Sequence, residues 1–165
     1  MVFLLDADTL IRADRVYYPL MRFPVFWDWL QHNGNAGHVK IPVEQYEEVV
    51  VGNGVLVDWL KDEKNKAALL FDAEADPSLV AEVTENGYAP DLDEAEIAKL
   101  GRDPFLIAYG YELKQQRSVV TFEVSAPKKQ RANRKIPDVC KALGVQCYTL
   151  FDLIETLDFR TDWKP

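Results

Sequence analysis

The strongest constraint in this sequence is a set of short, nearly continuous apolar runs at residues 2–5, 39–41, 69–71, 118–121 and 145–148. A strand that alternates apolar and polar residues leaves one face in water, whereas a strand that is apolar throughout must be covered on both faces. Helical patterns lie between these runs, at residues 24–32, 43–61, 77–85, 93–100, 104–114 and 137–143, the second interrupted at Gly52, Asn53 and Gly54. Strands alternating with helices predict an α/β fold with a parallel sheet. Asp103 before Pro104 reads as a helix N-cap, and Gly144 after Leu143 as a helix stop.

Charge and cysteine content narrow the function classes. A length of 165 residues suits one domain over residues 1–165. Nineteen Lys and Arg against 27 Asp and Glu give a net charge of −8, so diffuse attraction to phosphates cannot dominate binding. A nucleic-acid site must then be local or metal-assisted. No run approaches the ~18 apolar residues of a membrane span, and the opening apolar run meets Asp6 and Asp8 too soon for a secretory signal. Cys140 and Cys147 match neither a redox CxxC pair nor a zinc spacing, which predicts reduced core thiols in a cytoplasmic protein.

Acids stand at four element ends. Asp6 follows the first apolar run, Glu44, Glu47 and Glu48 open the helix after the second, Asp103 precedes Pro104, and Glu123 follows the fourth run. Ligands of open α/β sheets bind beyond the carboxyl ends of the strands. Each acid also has a purely structural reading. Asp6 and Asp103 suit helix caps, the three glutamates suit a helix start, and Glu123 suits a surface. Glu44 is placed on the helix surface. Taken together, Asp6, Glu48, Asp103 and Glu123 can be gathered at one sheet edge, where clustered carboxylates suit a hard cation such as Mg2+ or Mn2+. Such an ion can polarise a phosphodiester and lower the pKa of a bound water without any His or Cys nucleophile.

The segments Leu4-Leu5-Asp6-Ala7-Asp8-Thr9-Leu10-Ile11, Phe23-Pro24-Val25-Phe26-Trp27-Asp28-Trp29-Leu30 and Tyr46-Glu47-Glu48-Val49 followed by Asp58-Trp59-Leu60 continue through Asp103-Pro104-Phe105-Leu106-Ile107-Ala108, Val119-Val120-Thr121-Phe122-Glu123 and Lys135-Ile136-Pro137-Asp138-Val139-Cys140. In that order they resemble PIN-domain nucleases, and more closely the PIN-like bacterial proteins grouped with VapC-type toxins. The resemblance implies a three-layer fold with a central parallel sheet flanked by helices, and a metal-dependent endoribonuclease of a toxin–antitoxin system. It matches Asp6, Glu48 and Asp103 to the family's metal-binding acids, with Glu123 at the place of a fourth. Asp8 stands where many PIN proteins have Asn and adds a ligand, and Glu123 is longer than the Asp often found there, so Asp138 is an alternate fourth acid. The resemblance further implies an RNA substrate, an antitoxin partner and a homodimer.

Two alternatives stand beside this reading. Asp6-Ala7-Asp8-Thr9-Leu10 also resembles the haloacid-dehalogenase phosphatase motif, with Asp6 as nucleophile and Thr121 as a strand-end hydroxyl, although Asp72 and Asp76 come in the wrong order for that family's later acids. The other alternative is a PIN-like nucleic-acid-binding module that has lost catalysis. Lys128, Lys129, Arg131, Arg134 and Lys135 form a basic run that reads either as a solvated loop or as a grip on RNA phosphates. The aromatics from Tyr17 to Trp29 suit core packing, or base stacking at a surface. Thr9 reads as a helix-start hydroxyl or as a group that orients water or phosphate. His32 and His38 bracket a loop, not a metal pair.

Overall fold

The computed structural model describes residues 1–164. All five apolar runs become strands: β1 (Val2–Leu5), β2 (Val39–Pro42), β3 (Leu70–Phe71), β4 (Arg117–Val120) and β5 (Cys147–Tyr148). They form one parallel sheet in the order β3-β2-β1-β4-β5. The helices are α1 (Ala7–Arg12), α2 (Pro24–Asn35), α3 (Val43–Val50), α4 (Val55–Lys61), α5 (Glu63–Leu69), α6 (Pro77–Glu82), α7 (Glu94–Leu100), α8 (Asp103–Glu112), α9 (Ile136–Leu143) and α10 (Leu150–Thr156). Wider π-type turns extend α1 through Ala13–Tyr17 and α6 through Val83–Tyr88.

Successive residues of a strand point to opposite faces of a sheet, and β1 shows the result. Phe3 and Leu5 enter a core with Phe26, Trp27, Trp29, Leu60, Leu150 and Leu153. Leu4 enters a second core with Leu106, Ile107, Val139 and Cys140. The sheet is therefore the middle of three layers, as its continuous apolarity requires. Among the described residues no helix is long and apolar enough to cross a membrane.

The aromatic stretch divides. Phe26, Trp27 and Trp29 are buried, while Tyr17 and Phe23 remain exposed. Both cysteines are free thiols, Cys140 buried and Cys147 half-buried. Gly144 takes the left-handed conformation (φ 70°) expected of a helix-stopping glycine. The N-cap of α8 is one residue earlier than the sequence suggests. Arg102 occupies it, its carbonyl accepting from the N–H groups of Phe105 and Leu106, so Asp103 is the first helical residue. The loop expected between His32 and His38 is mostly helix, since α2 runs through Asn35.

The strand order positions the functional edge. From β1 the chain moves outward through β2 to β3, then returns to β4 beside β1 and continues to β5. The carboxyl ends of β1 and β4 thus flank the point where the winding reverses, the place where such sheets leave a crevice.

Candidate functional site

Asp6 is the residue after β1, and its N–H extends the ladder by donating to the carbonyl of Val120 at 3.0 Å. The side chain stands at the N-cap of α1 but makes no capping bond. Instead Oδ2 accepts from the Thr121 hydroxyl at 2.9 Å. That hydroxyl also accepts from the Glu123 N–H at 3.1 Å, so Thr121 ties the ends of β1 and β4 together. Thr9 is buried and donates to the Val120 carbonyl. It holds α1 to β4 and cannot meet a solvent-borne substrate.

Asp103 comes from the opposite layer. Because Arg102 takes the cap, the Asp103 carboxylate is not needed to start α8. Gln45, 1% exposed, sets the spacing of the two aspartates from behind. Its carbonyl accepts the Ala7 N–H at 3.1 Å, and its amide donates to the Arg102 carbonyl at 3.1 Å. One side chain therefore joins the start of α1, beside Asp6, to the start of α8, beside Asp103. Sequence reasoning passed over Gln45 and saw Thr121 only as part of the phosphatase alternative. A polar residue inside an acidic helix start gives no local sign of where its amide will reach.

Electrostatics couples these groups. Burial pushes the Asp6 carboxyl from its ordinary 3.8 up to about 7, opposed by the Thr121 hydroxyl and more weakly by the nearby Asp8 N–H, and reinforced by the charges of Asp8 and Glu48. Burial likewise pushes Asp103 up to about 8, with Asp6, Glu123 and Glu48 adding repulsion and Lys135 opposing it. Asp6, Glu48, Asp103 and Glu123 therefore act on one electrostatic region, as their positions at element ends suggested. They are not yet a closed ligand cage. Among the described residues no three His, Cys, Asp or Glu side chains stand close enough to hold a metal ion.

The remaining acids sort by their partners. Glu48 is exposed on α3. Glu123 is engaged through both oxygens, one accepting from Lys135 Nζ and the other from the Ile136 N–H at the start of α9, each at 2.8 Å. Asp8 pairs with Arg12 one turn along α1, at 2.8 Å. Asp138, the alternate fourth acid, is engaged by the loop after β4. It accepts from Ser125 Oγ and the Ala126 N–H, pinning that loop. Although burial pushes its carboxyl up, those bonds with Arg134 and Lys141 outweigh burial and hold it below the usual value. Glu44 is not on the helix surface as expected. Its Oε1 accepts from the Tyr109 hydroxyl, and its Oε2 is buried without a partner among the described residues. Asp76, a phosphatase acid in the alternative reading, caps α6 through the Ser78 N–H.

The basic run is largely answered from within the fold. Arg131 pairs with Asp91 and Glu96, Arg134 donates to the carbonyls of Gly87 and Asp138, and Lys135 holds Glu123. Lys128 and Lys129 are exposed. On the other side of Thr121 and Glu123 lies a groove of about 470 Å³ whose walls include Tyr17, Phe122 and Phe151. The Tyr17 and Phe122 rings stack with centroids 5.2 Å apart.

Comparison with curated proteins and with solved structures returned no match. A family model does match, over residues 3–161, a span that contains every residue of the edge just described. The chain belongs to that family, described as a domain of unknown function (DUF4411).

Proposed function

We propose that the chain is a metal-dependent ribonuclease of the PIN-like, toxin–antitoxin type, acting on RNA at the edge shared by β1 and β4. The observation that carries this reading is the pair Asp6 and Asp103. Neither has a cationic partner within salt-bridge distance among the described residues, and burial together with repulsion from neighbouring acids raises both. The donor chemistry fits Mg2+ or Mn2+, since every side chain offered is a hard oxygen ligand and a divalent cation relieves this kind of repulsion. When bound, such an ion supplies Lewis-acid polarisation of a phosphodiester and a water of lowered pKa.

The chain's own groups do the rest. Asp6 and Asp103 provide oxygens from the two layers, and Glu48 a third from α3. Thr121 fixes the rotamer of Asp6, while Gln45 holds the backbone behind both aspartates. Glu123 accepts one hydrogen bond on each oxygen, and each oxygen keeps a second lone pair that could face the ion while Lys135 stays beside the site. The groove of Tyr17, Phe122 and Phe151 gives bases a flat apolar surface next to the acids. A cytoplasmic setting, an antitoxin partner and a homodimer belong to the same proposal, on the resemblance to VapC-type toxins alone.

One observation favours a second reading, a PIN-like module that binds nucleic acid without cutting it: Glu123 is already neutralised by an ion pair with Lys135, whose ammonium would repel a metal ion. The phosphatase reading loses support, because the Thr121 hydroxyl is buried against Asp6 and not open to a phosphoryl group. Cleavage of mixed RNA with Mg2+, with Mn2+ and with EDTA separates these readings. Wild type should cut only with metal, Asp6→Asn should not cut, and Glu63→Gln, on the exposed face of α5, should match wild type. RNA binding without cleavage under either metal would leave the module, and cleavage that survives in Asp6→Asn would reject the site.

A further inference from the structure

Between the end of the π-type turn at Val83–Tyr88, the last turn of α7 and the basic segment before α9 lies a cleft of about 220 Å³ that opens beside Asp103 and Glu123. Four cationic side chains line it: Lys99, Lys129, Arg134 and Lys135. Only Asp103 and Glu123 oppose them, so the cleft carries an excess of positive charge inside a chain of net charge −8. Lys99 and Lys135 contact Asn133 and Glu123, while the exposed Lys129 ammonium has no partner among the described residues.

The second observation is independent of charge. Tyr88 lines this cleft, is only 6% exposed, and its hydroxyl has no hydrogen-bond partner among the described residues. Buried polar groups are nearly always satisfied, so an orphaned hydroxyl in a cleft wall points to a ligand group that completes it. The ionisable groups around it are the acids Asp103 and Glu123, the buried Cys140 thiol, and one cation, Arg134. Phenol is a donor, and an anion drawn in by the four cations that line the cleft would bring it the acceptor that no protein group supplies. A tetrahedral oxyanion offers several such acceptors at once, and a cleft with four cations and one unmet hydroxyl suits a phosphate group better than a single carboxylate.

We propose that this cleft is a phosphate-binding subsite in which the Tyr88 hydroxyl donates to a phosphate oxygen while Lys129 and Lys99 neutralise its charge. The phosphate belongs to the nucleic-acid strand whose neighbouring linkage lies at the acids, so this assignment of its source rests on the ribonuclease reading. The oxyanion site itself does not.

The test uses the full chain without added metal, at constant ionic strength, with inorganic phosphate, a nucleoside 5′-monophosphate and a six-nucleotide RNA as probes in calorimetric titrations. Wild type should bind at least one of the three, and Tyr88→Phe should weaken that binding roughly tenfold or more, the scale of one hydrogen bond to a charged group. Lys129→Gln, at an exposed position that cannot threaten the fold, should weaken it as well and reduce its salt dependence. Thermal melts separate the proposal from a structural role. Removing an orphaned hydroxyl should leave the free protein's melting temperature unchanged or raised, whereas loss of a hydroxyl satisfied internally should lower it. Tighter binding of RNA than of the two small probes supports an internal strand phosphate, and equal binding of all three supports a terminal or free phosphate at the same oxyanion site. Tyr88-dependent phosphate binding without RNA cleavage under any metal would sink the ribonuclease reading and leave the subsite standing. Binding unchanged in Tyr88→Phe, or absent for all three probes in wild type, overturns the subsite.

Discussion

Asp103→Asn should make the metal-free protein more stable at alkaline pH, the reverse of the usual effect of altering a partly buried polar residue. The folded carboxyl holds its proton up to about pH 8 because burial and the charges of Asp6, Glu123 and Glu48 disfavour its ionised form, while the unfolded group titrates near its ordinary 3.8. Between those values the folded chain binds more protons than the unfolded chain, so stability falls as pH rises. The contribution is fully present below the unfolded value and is gone once pH has risen through the folded one. At about 1.4 kcal/mol per pH unit the whole interval corresponds to roughly 6 kcal/mol. Part of that repulsion is counted again at Asp6, and a negative charge in the first turn of α8 recovers roughly 0.5 kcal/mol from the helix dipole. A net gain of about 2 kcal/mol is the sound expectation, or roughly 4–8 °C in melting temperature for a chain of this length.

Asn is close to Asp in shape and uncharged, so the two proteins should melt together near pH 4 and diverge steadily toward pH 9. Adding millimolar Mn2+ at pH 8 should then raise the melting temperature of wild type and leave Asp103→Asn unmoved, because only the native site binds the ion. Melting curves by circular dichroism at a series of pH values, with EDTA and with Mn2+, read both effects. If Asp103→Asn melts at or below wild type at pH 9 without metal, the two aspartates are not in electrostatic conflict and the argument for a cation at this edge fails.

Thr121→Val should remove the hydrogen bond that favours the ionised form of Asp6, raising that carboxyl further and weakening Mn2+ binding most below pH 8, with Thr121→Ser restoring it; equal Mn2+ affinity in the Val and Ser proteins would remove Thr121 from the site. Lys128→Gln with Lys129→Gln should flatten the salt dependence of RNA binding by about one released counterion for each phosphate that the lysines no longer neutralise, and leave the melting temperature alone. Arg131→Gln should instead destabilise the loop, since its guanidinium joins Asp91 to Glu96; a larger loss of RNA binding from Arg131→Gln than from the paired lysine changes would return the basic run to a single binding patch.

How much of this was legible depended on whether a feature is local. The strands could be read because burial on both faces leaves a mark within each run, though β3 and β5 shorten to two residues at the sheet edges, where pairing is one-sided. Helices α1, α5 and α10 gave no comparable signal. Each has six or seven residues, and α5 and α10 begin from Asp62 and Thr149, whose capping bonds are with neighbours that look like ordinary polar loop residues. The site was half readable. The placement of Asp6 and Glu123 follows from strand ends, and that of Asp103 from Pro104, but Gln45 acts on residues 38 and 57 positions away. The basic run could not be sorted locally for the same reason, because Asp91, Glu96 and Glu123 engage Arg131 and Lys135 from elsewhere in the chain while Lys128 and Lys129 stay exposed.

The competing structural explanations for the acids now separate residue by residue. Asp8, Asp76 and Asp138 each have one: an ion pair with Arg12, a helix cap, and a pinned loop. Glu123 has one as well, holding Lys135 and the first N–H of α9. Asp103 does not, and Asp6 has only the Thr121 hydroxyl, a bond that a neutral amide oxygen would accept as well. Asp6 stands at an N-cap without capping, and Asp103 sits one position inside a helix that Arg102 starts without it. Apolar or amide side chains would fill both positions without the repulsion that raises both carboxyls. Two acids that weaken the fold, come from opposite layers and flank the reversal of strand order are best accounted for by a ligand that needs their charge, and the proposed cation is the simplest such ligand. The same reasoning leaves Glu123 as the residue that decides between nuclease and binding module, because it alone of Asp6, Glu48, Asp103 and Glu123 already holds a cation, Lys135, against its carboxylate.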